Sequence, residues 1–299
     1  MKHFSGTSAS GASSGPLPGA SDPARLPAGA ADSSGLPPGT VLRLQRTGPG
    51  ADLPSTTAML RVLDDAERAR AARTVDATQS ASFIAGRYLL RVLAADLLGT
   101  RADLFVSCFE CPVCGPAGVT DHGRPAYLLD GGRVPLALSL SRAEGFVLLG
   151  ALGAPESQGR HGSHRRSRSH KSRGSLRGRD VNGSPVSHDV QSPSRAGIGV
   201  DLTAVAPVEF KGFDDVALTP GERQMIDGLP AGDRRVARAR LWARKEALVK
   251  ALGTGFSDRG PDAVEVLSDH RVTDRPSVGD ESLEPLGLVA AVAVVAVSP

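Results

Sequence analysis

The residues best equipped for chemistry lie between Leu241 and Gly255, where Glu246 stands among Lys245 and Lys250, just ahead of Gly253 and Gly255. A carboxylate and two ammonium groups at this spacing suit a metal ion and phosphate oxygens. They also suit one another on a solvated helix. Arg234 to Lys250 is rich in Ala, Leu, Arg, Lys and Glu, with no Gly or Pro, which predicts a helix. The glycines that follow predict its end. At 3.6 residues per turn, Trp242, Glu246 and Lys250 share one strip, with Lys245 beside it. As a solvated pair, Glu246 and Lys250 would stabilise the helix by only about 0.2–0.5 kcal/mol, and charge runs are usually solvated faces. The indole on the strip argues that this face is drawn partly into the protein, where a bare carboxylate needs a partner.

A second signal precedes it. Gly197-Ile198-Gly199-Val200-Asp201 lies within a small, apolar stretch, Ala196–Leu202, that reads as a strand with one acid near its end. A Gly-x-Asp alone is ordinary turn chemistry. Beside Glu246, however, Asp201 completes an oxygen pair of the kind that holds Mg²⁺ and leaves positions for water and substrate phosphates. Lys245 and Lys250 would supply charge for a pyrophosphate. The chemistry so implied is transfer of a phosphate-containing group.

Gly-Ile-Gly-Val-Asp-Leu at 197–202, followed by Trp-Ala-Arg-Lys-Glu-Ala-Leu-Val-Lys-Ala-Leu-Gly-Thr-Gly at 242–255, resembles the paired signature of the 4′-phosphopantetheinyl transferases. Shorter similarities follow the family's order upstream. They are Gly86-Arg87-Tyr88-Leu89-Leu90-Arg91-Val92-Leu93, His122-Gly123-Arg124-Pro125, Leu138-Ser139-Leu140-Ser141 and, downstream of the first motif, Thr219-Pro220-Gly221-Glu222. The resemblance covers roughly 57–152 and 196–297, the long, two-lobed surfactin-type form, with a helix motif like that of the holo-acyl-carrier-protein synthases. It implies transfer of 4′-phosphopantetheine from coenzyme A to a serine of an apo acyl or peptidyl carrier protein, leaving 3′,5′-ADP. Mg²⁺ would sit on Asp201 and Glu246. Glu246 would take the serine proton, and Lys245, Lys250, Arg124 and Arg142 would hold the coenzyme. Three positions depart from the family pattern. Thr203 stands where the long enzymes carry a second acid, a position at which the short synthases also have none. Arg142 replaces a histidine, and an arginine pairs phosphate more firmly. Ser82 stands at or near the place of an arginine before the early helix.

The rest of the chain bounds this reading. Residues 1–40 are dominated by Gly, Ala, Ser and Pro and are expected to be a disordered tail. They lack a basic start and apolar core, so no secretory signal is expected. Residues 153–196 form a low-complexity insert with nine Lys and Arg against three acids, a net of +6 in a chain of net +3, so the folded remainder is acidic. Its Arg-Ser run could meet nucleic acid by charge alone, but it lacks aromatic residues for base stacking. The plainer reading is a tolerated surface loop. The expected lobes are 41–152 and 197–299.

Cys108, Cys111 and Cys114 with His122 have the spacing of a Cys₃His zinc site. A lone knuckle without its second half weighs against structural zinc, and clustered free thiols suit a reducing cytoplasm. The longest apolar run, Leu286 to Val297, is 12 residues, too short for a membrane span and suited to a buried strand. Thr57–Ala72, Phe83–Leu98, Pro220–Gly228 and Arg234–Lys250 read as helices, and Ala137–Leu152 as a strand pair. The expected class is α+β: two similar lobes, each of helices on an antiparallel sheet, related by a pseudo-twofold, with the active site in the cleft between them. The expected protein is a cytoplasmic monomer that meets coenzyme A and carrier domains, and neither a membrane nor specific nucleic acid. Rival readings are a degraded relative that binds coenzyme A or carrier without transfer, and a nucleic-acid-associated protein acting through the insert.

Overall fold

A computed structural model describes residues 35–109, 123–153, 195–257 and 259–297. Residues 1–34 of the expected tail, nearly all of the insert, and Cys111, Cys114 and His122 lie outside the described residues, and with them the zinc expectation; Thr40, the last residue of that tail, instead opens the first strand. Of that cluster only Cys108 is described, as a buried free thiol.

The first half runs β1 (Thr40–Arg46), α1 (Thr56–Val62), α2 (Asp65–Arg73), α3 (Ala77–Leu98), β2 (Val106–Ser107), β3 (Tyr127–Leu129), β4 (Gly132–Arg133), β5 (Leu136–Ala143) and β6 (Phe146–Gly153). The second runs β7 (Arg195–Ala204), α4 (Phe213–Ala217), α5 (Pro220–Asp227), α6 (Ala231–Leu252), β8 (Val272–Arg275), β9 (Ser277–Val278), β10 (Glu281–Ser282) and β11 (Leu288–Val297). The protein is therefore α+β with antiparallel sheets. Both halves follow the same path: the last strand lies between the first and the middle one, as β1-β6-β5 and as β7-β11-β8, with a helix of 22 residues before the middle strand.

Side-chain alternation explains the layering, because successive residues of a strand face opposite ways. On β6, Val147, Leu149 and Ala151 pack beneath α3, while Phe146, Leu148 and Leu152 join a second core. That core also takes Ile198, Val200 and Leu202 from β7 and Ala290 and Val292 from β11. Val289, Ala291 and Ala293 turn the other way, onto α6. The result is four layers: helices, sheet, sheet, helices. Burial on both faces over Leu288–Val295 is why this strand reads as a continuous apolar run.

The tight turns follow local chemistry. Glu144 and Gly145, between β5 and β6, both have positive φ (47° and 75°), as a two-residue hairpin of the primed type requires. Helix α5 opens with a capping box in which Thr219 and Glu222 satisfy each other's backbone amides. The single helix expected over Thr57–Ala72 is instead two. Asp64 caps α2 through its side chain, accepting from the Glu67 amide, and so breaks the run. Helix α3 starts earlier than expected, at Ala77, because Asp76 accepts from the Gln79 amide. Among the described residues no helix is long and apolar enough to cross a membrane.

Candidate active site

Strand β7 and helix α6 approach unusually closely. A Cβ added to Gly199 would lie 1.9 Å from the Ala247 carbonyl oxygen, so only glycine permits the contact. This closeness brings Asp201, two residues on and on the same face, against the last turns of α6. Asp201 is buried, 4% exposed, and both of its carboxylate oxygens are engaged. Lys250 Nζ donates to Oδ1 at 2.5 Å, Ser141 Oγ donates to the same oxygen at 2.8 Å, and Thr203 Oγ1 donates to Oδ2 at 2.6 Å. The Lys250 ammonium also lies 3.4 Å from both Ser141 Oγ and the Val200 carbonyl, and 3.8 Å from Glu246 Oε2. Next to it, Ser139 Oγ accepts from the Val200 amide at 3.0 Å. Two serines of β5 thus tie the first half of the chain to the acid-bearing strand of the second.

Glu246 and Lys250 face a cleft of about 290 Å³ whose lining includes Arg87, Arg124, Ser139, Arg142 and Phe256. Burial pushes the Glu246 carboxyl up, and Asp201 adds to this while Lys250 opposes it. A carboxyl raised in this way is a better proton acceptor than an ordinary one. Helix α6 stops at Gly253, whose φ of 79° is left-handed and whose missing Cβ leaves room for the Arg124 guanidinium, with Nε 2.7 Å from where that Cβ would stand. Arg124 Nη1 donates to Ala251 O at 3.4 Å.

Arg142 and Arg87 form the basic wall. Both guanidinium carbons lie over the Phe83 ring, at 5.9 and 5.5 Å, and Arg87 also sits 4.8 Å over Phe109. Burial lowers the Arg142 pKa to about 10, and repulsion from Arg87 and Arg70 contributes. Arg87 is 8% exposed, and its Nη1 is buried without a hydrogen-bond acceptor among the described residues. Buried cations without counter-charges are costly, so this wall favours an anion.

Asp201, Glu246, Lys250, Arg124 and Arg142, singled out in the sequence, are therefore gathered in or against one cleft. Lys245 is not. It points to the other side of α6, is fully buried, and donates to Pro261 O and Val264 O while pairing with Glu222 at 2.6 Å. One residue along a helix is a rotation of about 100°, which separates it from Glu246. Its expected phosphate contact has no counterpart in this geometry. Arg87 and Ser141 belong to the site although the sequence pattern gives neither a role of its own. For Arg87 a signal exists: every residue from Phe83 to Ala95 is buried, so a cation within that run requires a partner.

Among the described residues no group of three or more His, Cys, Asp or Glu side chains converges as a metal cage. Asp201 and Glu246 nevertheless flank one ammonium, with only hard oxygen donors around it. This set fits a Mg²⁺-like ion that completes its shell with water and ligand phosphates.

Residues 197–285 match the family model described as the 4′-phosphopantetheinyl transferase superfamily. A holo-[acyl-carrier-protein] synthase of Verminephrobacter eiseniae (strain EF01-2) is 42% identical over 67 residues, 20% of this chain and 50% of that protein. The chain thus spans about half the length of this relative. A crystal structure at 2.31 Å of a holo-(acyl-carrier-protein) synthase from Bacillus anthracis str. Ames, in complex with CoA (3′,5′-ADP), is 27% identical. That match covers 34% of this chain and 96% of the other, with a TM-score of 0.25. Residues 197–285, which carry both the Asp201 strand and the Glu246 helix, are thus similar to the 4′-phosphopantetheinyl transferase superfamily.

Proposed function

We propose that this protein transfers 4′-phosphopantetheine from coenzyme A to a serine hydroxyl of an apo acyl or peptidyl carrier protein. The observation that carries the reading is the meeting of Asp201, Glu246 and Lys250 at a cleft whose other wall is cationic. A pyrophosphate diester needs such cations, and a serine nucleophile needs such a base.

Asp201 and Glu246 would hold Mg²⁺, which when bound neutralises charge on the pyrophosphate. Lys250 and Arg142 grip phosphate oxygens, and Arg124 lies where it can do the same beside Gly253. Glu246, with its raised carboxyl, accepts the serine proton as the hydroxyl oxygen bonds to the β-phosphorus. The bond from that phosphorus to the bridging oxygen breaks, and 3′,5′-ADP leaves with the electron pair, its charge met by the same cations. No covalent enzyme intermediate is needed; positioning and electrostatics lower the barrier. Ser141 and Thr203 orient the Asp201 carboxylate through their hydroxyls.

Thr203 also supports a second reading, in which a relative lacking one acid binds coenzyme A without transfer. The test is a mass spectrum of apo carrier protein incubated with the chain, coenzyme A and Mg²⁺. A phosphopantetheine-sized gain that disappears with Glu246→Ala supports transfer. Coenzyme binding without any gain across several carriers supports the second reading, and absence of both would reject the two together. A cytoplasmic site of action, and a monomeric state, are part of the same proposal.

A further inference from the structure

The oxygen cluster around Asp201 already holds a cation, and that cation belongs to the chain. Lys250 Nζ lies 2.5 Å from Asp201 Oδ1 and 3.4 Å from both Ser141 Oγ and Val200 O, with Glu246 Oε2 at 3.8 Å. These are hard oxygen donors, two of them carboxylates. An ammonium and a divalent ion compete for such a set, since each neutralises the same negative charge. Lys250 and Ser141 both donate to Asp201 Oδ1 and Thr203 to Oδ2, so an ion that takes Oδ1 on the Glu246 side displaces one of the first two. Lys250 is the least confined of them. Its side chain is 31% exposed, lines the cleft, and has a flexible four-carbon stem.

We propose that Lys250 is a built-in competitor of the divalent ion. In the free protein its ammonium occupies the space between Asp201 and Glu246. Binding of the metal expels it into the cleft, where it becomes available to phosphate. Lys250 is then a positioning residue with two stations, one on the carboxylates and one on the coenzyme. The arrangement couples two ligands: phosphate draws Lys250 outward and so strengthens metal binding, and metal must strengthen phosphate binding by the same factor. The inference rests on the transferase reading for the purpose of the cation. Its test does not, because it needs neither coenzyme nor carrier.

The probe is Mn²⁺ alone, titrated into the full chain and followed by loss of the free-ion electron paramagnetic resonance signal. Lys250→Met, which keeps the stem and removes the charge, is expected to bind Mn²⁺ at least tenfold more tightly than the unaltered protein. Lys250→Arg, which keeps the charge, is expected to show no such gain. Adding Asp201→Asn to Lys250→Met should abolish the gain. Equal or weaker binding by Lys250→Met would overturn the proposal, as would a gain that survives loss of the Asp201 charge. A measurement on the unaltered chain guards against misfolded variants: Mg²⁺ should raise the acetylation of Lys250 by a small amine-reactive ester, read by peptide mass spectrometry. Labelling unchanged by Mg²⁺ would count against expulsion. If Mn²⁺ exchange behaves as expected but no carrier is modified, only the transferase reading fails; modification without exchange would reject only the two-station role of Lys250.

Discussion

Helices α3 and α6 each place one cation inside their own half of the molecule and another, about a turn away, at the cleft. On α3, Arg91 is fully buried and pairs with Glu67 at 2.6 Å and Asp64 at 2.7 Å, while Arg87 faces the cleft with an Nη1 that finds no acceptor among the described residues. On α6, Lys245 pairs with Glu222 at 2.6 Å, while Lys250 spans to Asp201 and the cleft. The inward cations are neutralised by acids supplied locally, from the preceding helix or its cap in both cases. The outward ones lie where the halves meet and, among the described residues, lack a dedicated partner or share one that a ligand can claim. The difference separates charges that shape the fold from charges that serve a ligand, although sequence spacing alone makes each pair look alike.

The largest effect is expected at the reacting end of the outward set. Glu246→Gln keeps the side chain's size but removes the base, and should lower kcat/KM for carrier modification by about 10²–10⁴-fold, with thermal unfolding little changed. The inward cations should behave in the opposite way. Arg91→Met leaves Glu67 and Asp64 without their counter-charge and should cost about 3–5 kcal/mol in denaturant unfolding. Lys245→Met should do likewise by stranding Glu222, and Lys245→Met with Glu222→Leu should recover much of the loss. Arg87→Met tests the contrast from the other side. Coenzyme affinity is expected to fall about tenfold, roughly 1.4 kcal/mol, while the melting temperature changes far less than for Arg91→Met, because among the described residues Arg87 Nη1 has no hydrogen bond to lose.

The smallest effect is a displaced pH profile. Burial and Asp201 raise the Glu246 carboxyl, and Lys250 restrains that rise. In the proposed transfer Glu246 acts in its ionised form, so activity is expected to fall as pH drops through this pKa. Lys250→Gln removes the restraint, and the acid limb of residual kcat/KM should move to higher pH. A limb that stays in place would mean that Lys250 and Glu246 do not sense one another.

Much of the site is legible in the sequence because its pieces lie in two continuous motifs. A strand with one acid near its end and a helix bearing Glu and Lys at i and i+4 declare themselves through local composition. The α+β class follows from the same patterns. Other parts depend on distant approaches that spacing cannot reveal. Lys245 looks like a companion of Lys250 until Glu222, on a separate helix, supplies its partner. The engagement of Ser141 with Asp201 joins residues 60 positions apart. Strand β1 escapes the sequence reading altogether, since Thr-Val-Leu-Arg-Leu-Gln-Arg carries little signal until it finds β6.

Gly199 also decides which parts of the site can move. A methyl group there would drive the strand from the helix, and Gly199→Ala is expected to destabilise the protein by about 1–3 kcal/mol or more. With backbone lying directly on backbone, Asp201 and the Glu246 turn form a rigid jaw whose spacing is set before any ligand arrives. The opposing jaw, with Arg124 and Arg142, is joined to it through side chains such as Ser139 and Ser141. Backbone adjustment to a bound ligand is therefore expected on that side rather than around Gly199, where Lys250 moves only as a side chain.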